Sequence, residues 1–175
     1  MSNVKHSSGS VEWYTPGEYI IAARGVFGTH IDLDPASCAA ANECVDANRY
    51  HAAGGLEADW SGASNVFLNP PGGKLRGKSL PMLFWQKLVG YADSRSIGEA
   101  IMICFSIEQL QTSQLNGRSM VEYPFCIPRR RIAFDSPDGK KSQPSHANAI
   151  IYVPGYLDHT EEFVDVFSQF GTTIC

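Results

Sequence analysis

The chain has 175 residues, 43% of them hydrophobic and 11% aromatic, which is the size and apolar content of one domain with its own core. Charged residues make up 18%, and 16 glycines and 10 prolines punctuate the chain, which excludes a polyelectrolyte, a coiled coil and a collagen-like repeat. The net charge of −4 argues against an anionic partner, but its distribution does not. Residues 1–73 carry three basic and eight acidic side chains, residues 74–141 eleven and six, and residues 142–175 none and four. The middle segment can therefore supply a local field for phosphates. The five cysteines are odd in number and lack C-x-x-C spacing, so they read as reduced thiols rather than a disulfide or zinc framework. No run approaches the ~18 apolar residues of a membrane span, and Met1 to Ser10 is polar. The expectation is a cytoplasmic protein with a flexible tail over residues 1–10 and one domain over 11–175.

Thr15-Pro16-Gly17-Glu18 reads as a helix start, with Thr15 as N-cap, Pro16 in the first turn and Glu18 closing a capping box. The helix buries Tyr19, Ile20, Ala23 and Phe27 and stops between Gly25 and Gly28. Thr29 to Asp34 reads as a short strand, and Pro35 to Asn48 as a helix with Ala39, Ala40, Cys44 and Ala47 on one face. Asn65 to Asn69 is a buried-type strand, Leu80 to Tyr91 a helix, Ala100 to Phe105 a second apolar strand and Glu108 to Gln114 a polar helix. Arg131 to Phe134 and Ala147 to Val153 flank a turn at Asp138-Gly139 and predict an antiparallel pair at the sheet edge, before a last helix over Thr160 to Phe170. This alternation predicts a three-layer α/β sandwich with a mostly parallel sheet and a C-terminal antiparallel hairpin. Ligands of such sheets lie at the carboxyl ends of the strands, where Asp34 and Asn69 fall.

Asn69-Pro70-Pro71-Gly72 is the most informative stretch, because two prolines after a strand-end Asn make a stiff loop. Such a loop holds two acceptors, the Asn side-chain oxygen and the Pro70 carbonyl, toward a planar amino group. A nucleobase amino nitrogen is a poor nucleophile because its lone pair is delocalised into the ring, and acceptors on its hydrogens favour the tetrahedral geometry that attacks an electrophilic methyl. Asp32 and Asp34, at the end of a strand, suit the hydroxyls or ammonium of a nucleoside-like donor. They are two apart and so share a strand face, although Asp34 sits where the chain bends into Pro35.

Read in order, Glu12-Trp13-Tyr14-Thr15-Pro16, then Ile31-Asp32-Leu33-Asp34-Pro35-Ala36-Ser37, Trp60 with Gly62, and Phe67-Leu68-Asn69-Pro70-Pro71, the chain resembles the phage-type DNA N-6-adenine-methyltransferases, the Dam-like group of bacteriophages and prophages. The resemblance implies a Rossmann-like methyltransferase fold, S-adenosyl-L-methionine as methyl donor, and the amino group of adenine in DNA as acceptor, with no metal. It assigns Asn69, Pro70 and Pro71 to the catalytic loop and Tyr14, Thr15 and Pro16 to the segment beside the donor's methionine moiety. Asp32, Asp34 and Asp59 are the acids expected on the donor, Asp59 at its adenine. The loop chemistry suits cytosine as well.

Two departures from the family pattern stand out. The position after the second proline, where an aromatic stacks on the extruded base, is Gly72, which leaves Phe84, Trp85, Phe105 or Tyr123 as platforms. No G-x-G loop follows the first strand. Lys74, Arg76 and Lys78 read as a mobile basic loop on DNA phosphates, and Arg129, Arg130 and Arg131, with Lys140 and Lys141, as a second phosphate clamp. Two competing readings remain. Gly72 to Ser79 matches G-x-x-x-x-G-K-[ST], the phosphate loop of a nucleotide kinase or ATPase, and a catalytically silent DNA-binding relative carries the same motifs.

Overall fold

Seven strands form the central sheet in the computed structural model, which describes residues 13–136 and 146–175. The expected N-terminal tail and the turn with Asp138, Gly139, Lys140 and Lys141 lie outside the described residues. In chain order the elements are α1 (Gly17–Phe27), β1 (Leu33–Asp34), α2 (Ala39–Val45), β2 (Arg49–Tyr50), β3 (Asn65–Leu68), β4 (Lys74–Leu75), β5 (Lys78–Ser79), α3 (Leu80–Asp93), β6 (Glu99–Cys104), α4 (Glu108–Ser113), β7 (Phe125–Pro128), β8 (Ala149–Pro154), α5 (Thr160–Phe167) and β9 (Gly171–Ile174). The sheet order is β2-β1-β3-β6-β8-β7-β9, and β4 pairs with β5 as a separate ribbon. β2, β1, β3 and β6 are parallel neighbours, whereas β8 runs against both β6 and β7, and β9 runs against β7. The fold is thus α/β with a mostly parallel sheet, and no helix among the described residues is long and apolar enough to cross a membrane.

Period-two alternation along the central strands builds one core on each face. Val66, Leu68, Ala100, Met102, Ile151 and Val153 pack beneath Trp85, Leu88 and Val89 of α3. Phe67, Ile101, Ile103, Ile150 and Tyr152 face Ala23 and Phe27 of α1 and Phe163 and Phe167 of α5. Because both faces are covered, β3 and β6 read as unbroken apolar runs, and each fully buried Ile or Leu contributes about 2 kcal/mol.

Several sequence expectations are corrected. Helix α1 begins one residue late, with Pro16 rather than Thr15 as N-cap and no side-chain cap, because Tyr14 bridges Asp135 through two main-chain hydrogen bonds (2.7 and 2.9 Å) and holds Thr15 extended. The strand expected from Thr29 shrinks to two residues. α2 is shorter than expected, and its buried residue is Val45, while Ala39, Ala40 and Cys44 are exposed. Cys38 caps it, its sulfur accepting from the Ala41 amide. Arg131 to Phe134 is not a strand; the Ile132 amide donates to the Asn148 side chain (2.8 Å), and β8 pairs instead with β7. α5 stops at Phe167, and β9, not the hairpin, forms the sheet edge.

From β1 the chain passes to β2 on one side and then crosses to β3 on the other, so the sheet has a switch point between β1 and β3. The connection between β2 and β3 presses onto the end of β1. A Cβ on Gly55 would lie 1.8 Å from the Pro35 carbonyl oxygen, so only glycine permits this approach.

Candidate functional site

A cavity of about 740 Å³ opens at this switch point. Tyr14, Thr15, Asp34, Asn69, Pro70 and Pro71 all line it, so six of the residues read from the sequence converge on one space. Asn69 is half-buried, and its Nδ2 donates to the Trp13 carbonyl (3.2 Å), tying the segment before α1 to the end of β3. That bond commits the amide nitrogen and leaves Oδ1 as an acceptor that takes no hydrogen bond among the described residues.

Asp34 is buried, 3% exposed, and its Oδ1 accepts from the Ala36 amide (3.1 Å). Burial pushes its carboxyl up to about 6, against the opposing pull of hydrogen bonds from Ala36 and Ser37. Among the described residues no cation pairs with it. A buried, unpaired acid at a strand end is costly, and a ligand hydroxyl or ammonium offsets that cost.

Three expected donor contacts lie elsewhere. Pro16 sits behind the cavity as the cap of α1. Asp32 lies outside β1, so strand alternation does not orient it. Its Oδ2 accepts from the Ser64 amide (2.9 Å) and lies 3.6 Å from the Arg49 guanidinium. Asp59 is exposed beside a separate shallow depression. Its carboxylate accepts from the Ser61 amide and hydroxyl and from the Tyr91 hydroxyl, which holds it down to about 2.

Of the four aromatic platforms, Phe84 and Phe105 line the cavity. Phe84 is buried against Trp60, Trp85 donates its indole N–H to the Arg118 carbonyl, and Tyr123 packs edge-on to Trp85, so these three belong to the core. Phe105 directly follows β6, the strand beside β3, and is 38% exposed, with its ring 5.8 Å from Phe134 and 5.3 Å from His146. His51, Phe134 and the glycine pair Gly54-Gly55 also line the cavity and were not singled out in the sequence, and so does Trp13, which stood in the Glu12 to Pro16 motif without a role of its own. The close approach that Gly55 permits is to the Pro35 carbonyl, which packs the β2–β3 connection onto the end of β1.

Lys74, Arg76 and Lys78 lie on a two-stranded ribbon rather than an irregular loop. Arg76 (φ 49°) and Gly77 (φ 81°) make the two-residue turn between β4 and β5, with Lys74 opposite Ser79 and Leu75 opposite Lys78. This geometry counts against the phosphate-loop reading, because Lys74-Leu75 and Lys78-Ser79 pair as an antiparallel ribbon up to the start of α3 rather than as a loop. Arg129 follows β7, and its guanidinium donates to the Ser168 and Gln169 carbonyls (3.2 and 3.0 Å), closing the end of α5, so it serves the fold. Arg130 and Arg131 are exposed.

Comparison of the chain with family models, with curated proteins and with solved structures finds no match.

Proposed function

We propose that the chain is a DNA methyltransferase that moves a methyl group from S-adenosyl-L-methionine to the exocyclic amino group of adenine, on a Rossmann-like fold. The observation that carries this reading is the placing of Asn69, with its oxygen free, and of buried, unpaired Asp34 on one cavity at the sheet's switch point. The cavity has the volume of a small-molecule site, which runs from about 300 to 1,000 Å³. These residues fit the donor: Asp34 accepts from its ribose hydroxyls or ammonium, and Tyr14 and Thr15 flank its methionine end. Bound there, the donor supplies an electrophilic methyl on a sulfonium.

Asn69 Oδ1 and the Pro70 carbonyl take the two hydrogens of the target amino group, which localises the nitrogen lone pair toward the methyl. A methyl supplied by the donor would pass to that nitrogen with the C–S electron pair staying on sulfur, and the surplus amino proton would leave to solvent. Phe105, exposed beside the Asn69 loop, takes the place of the missing aromatic at Gly72 and stacks on the extruded base.

The direct test is incubation with labelled donor and mixed-sequence DNA, followed by mass spectrometry of the digested nucleosides. Labelled N6-methyladenine is expected. Labelled N4-methylcytosine would change the acceptor, and no label together with no stabilisation by S-adenosylhomocysteine would overturn the proposal. The exposed cations beside the loop have a separate expectation. Replacing Lys74, Arg76 and Lys78 together by alanine weakens DNA binding and lowers the slope of log Kd against log salt by about 3. Titrations at several salt concentrations check this, and an unchanged slope removes the ribbon from the DNA interface.

A further inference from the structure

We infer that the β4–β5 ribbon is a wedge whose Leu75 enters the DNA duplex and holds open the gap left by the extruded base. This rests on the reading of the cavity as a pocket for that base. The ribbon starts three residues after Pro71, from a stem of two glycines, Gly72 and Gly73. Neither glycine has a neighbour that an added side chain would meet, Gly73 has a φ of +97°, and the Gly73 carbonyl accepts from the Leu80 amide (3.0 Å), which ties the stem to the start of α3.

On a two-stranded ribbon, side chains alternate between faces, and directly opposed residues share one. Leu75 therefore shares a face with Lys78, while Lys74 and Ser79 occupy the other, and Arg76 stands at the tip. Leu75 belongs to neither core cluster, is 42% exposed and lies on the cavity rim. Trp13 and Phe105, two more large exposed apolar side chains, share that rim. Three exposed apolar side chains gathered on one rim beside cations mark a surface that a partner covers.

The chemistry of the partner follows from this pattern. A two-stranded ribbon fits the major groove, where the adenine amino group lies, and the three cations reach flanking phosphates. An apolar side chain in a groove packs on a thymine methyl or slides between base steps, and at the mouth of a pocket for an extruded base the second role fills the gap. A base drawn into the cavity leaves a hole that costs a few kcal/mol of lost stacking and pairing, and Leu75 fills it. A single strand has no such hole, so the side chain matters only for duplex substrate.

The test measures initial rates of N6-methyladenine formation on amplified mixed-sequence duplex and on the same DNA after denaturation. Leu75→Ala is expected to lower the duplex rate at least about tenfold and the single-strand rate less than about twofold. Leu75→Met, which restores the bulk, keeps the duplex rate within about threefold of wild type. Since the side chain lies outside both cores, the melting temperature of either variant stays within about 1 °C. Equal losses on the two substrates, no loss on duplex, or a wild-type chain that methylates only single strands would overturn the wedge. A wild-type chain that methylates neither form would instead overturn the methyltransferase proposal itself, and the wedge with it.

Discussion

Asn69→Ala is expected to lower methyl transfer about 10²- to 10³-fold while leaving the chain folded and the donor bound within about threefold of wild-type affinity. The expectation follows from how little else this side chain does. Asn69 makes one hydrogen bond among the described residues, to the Trp13 carbonyl at 3.2 Å, and loss of such a half-buried bond costs about 1 kcal/mol. In catalysis it supplies an acceptor that acts on the amino hydrogens as the nitrogen turns tetrahedral. Removing one preorganised polar contact to a transition state costs about 3 to 4 kcal/mol, which sets the size of the effect. Asn69→Asp separates the two roles. It keeps the acceptor but sets a carboxylate against the Trp13 carbonyl, so activity falls less than in the alanine variant while the Trp13 to Thr15 segment loosens. Single-turnover rates with labelled donor, beside donor titrations by calorimetry, check both variants. An alanine variant within tenfold of wild type would place the chemistry elsewhere.

What was legible in the sequence depends on where each element draws its stability. β3 and β6 are buried on both faces, and their apolar runs announce them; α1 and α3 carry an apolar face at helical spacing. β2 and β9 hold through pairing with neighbours and carry polar, exposed residues, so their own sequences give no signal. β7 follows Pro124 and ends on Pro128, and prolines there disguise a strand as a turn. The same distinction governs the site. Asn69 and Asp34 are polar residues that directly end a strand, a local feature. Asp32 was paired with Asp34 by period-two reasoning, but the Asn65 side chain accepts from the Asp32 amide (2.8 Å) and donates to the His30 carbonyl (3.1 Å), which pins that segment outside β1. Phe105 needed the register between β3 and β6, which is non-local. The Gly72 to Ser79 pattern misled because a letter pattern is blind to dihedral angles, and two positive φ values at Arg76-Gly77 make a hairpin of it.

Asp34→Asn should make the unliganded chain more stable and a failed binder at once. The buried carboxyl titrates near 6 rather than at its ordinary value near ~4, so between those limits the native chain holds a proton that the unfolded chain has released. Stability is therefore highest below this window, falls as pH rises through it, and carries the full penalty, about 3 kcal/mol, above pH 6. An asparagine carries no charge to desolvate, and its oxygen still accepts from the Ala36 amide. At pH 7.5 the variant should melt roughly 5 to 10 °C higher than wild type, with the difference shrinking to nothing near pH 4. Binding moves in the opposite direction. Ligand hydroxyls or an ammonium prefer the ionised carboxylate, so S-adenosylhomocysteine should bind the wild type more weakly by about tenfold per pH unit below 6, and bind the variant at least about a hundredfold more weakly at pH 7.5. Melting curves across pH, with and without that ligand, read both effects in one experiment. A variant that melts lower and still binds would make Asp34 a cap for the Ala36 turn, and the acid that holds the donor would have to be sought elsewhere on the cavity wall.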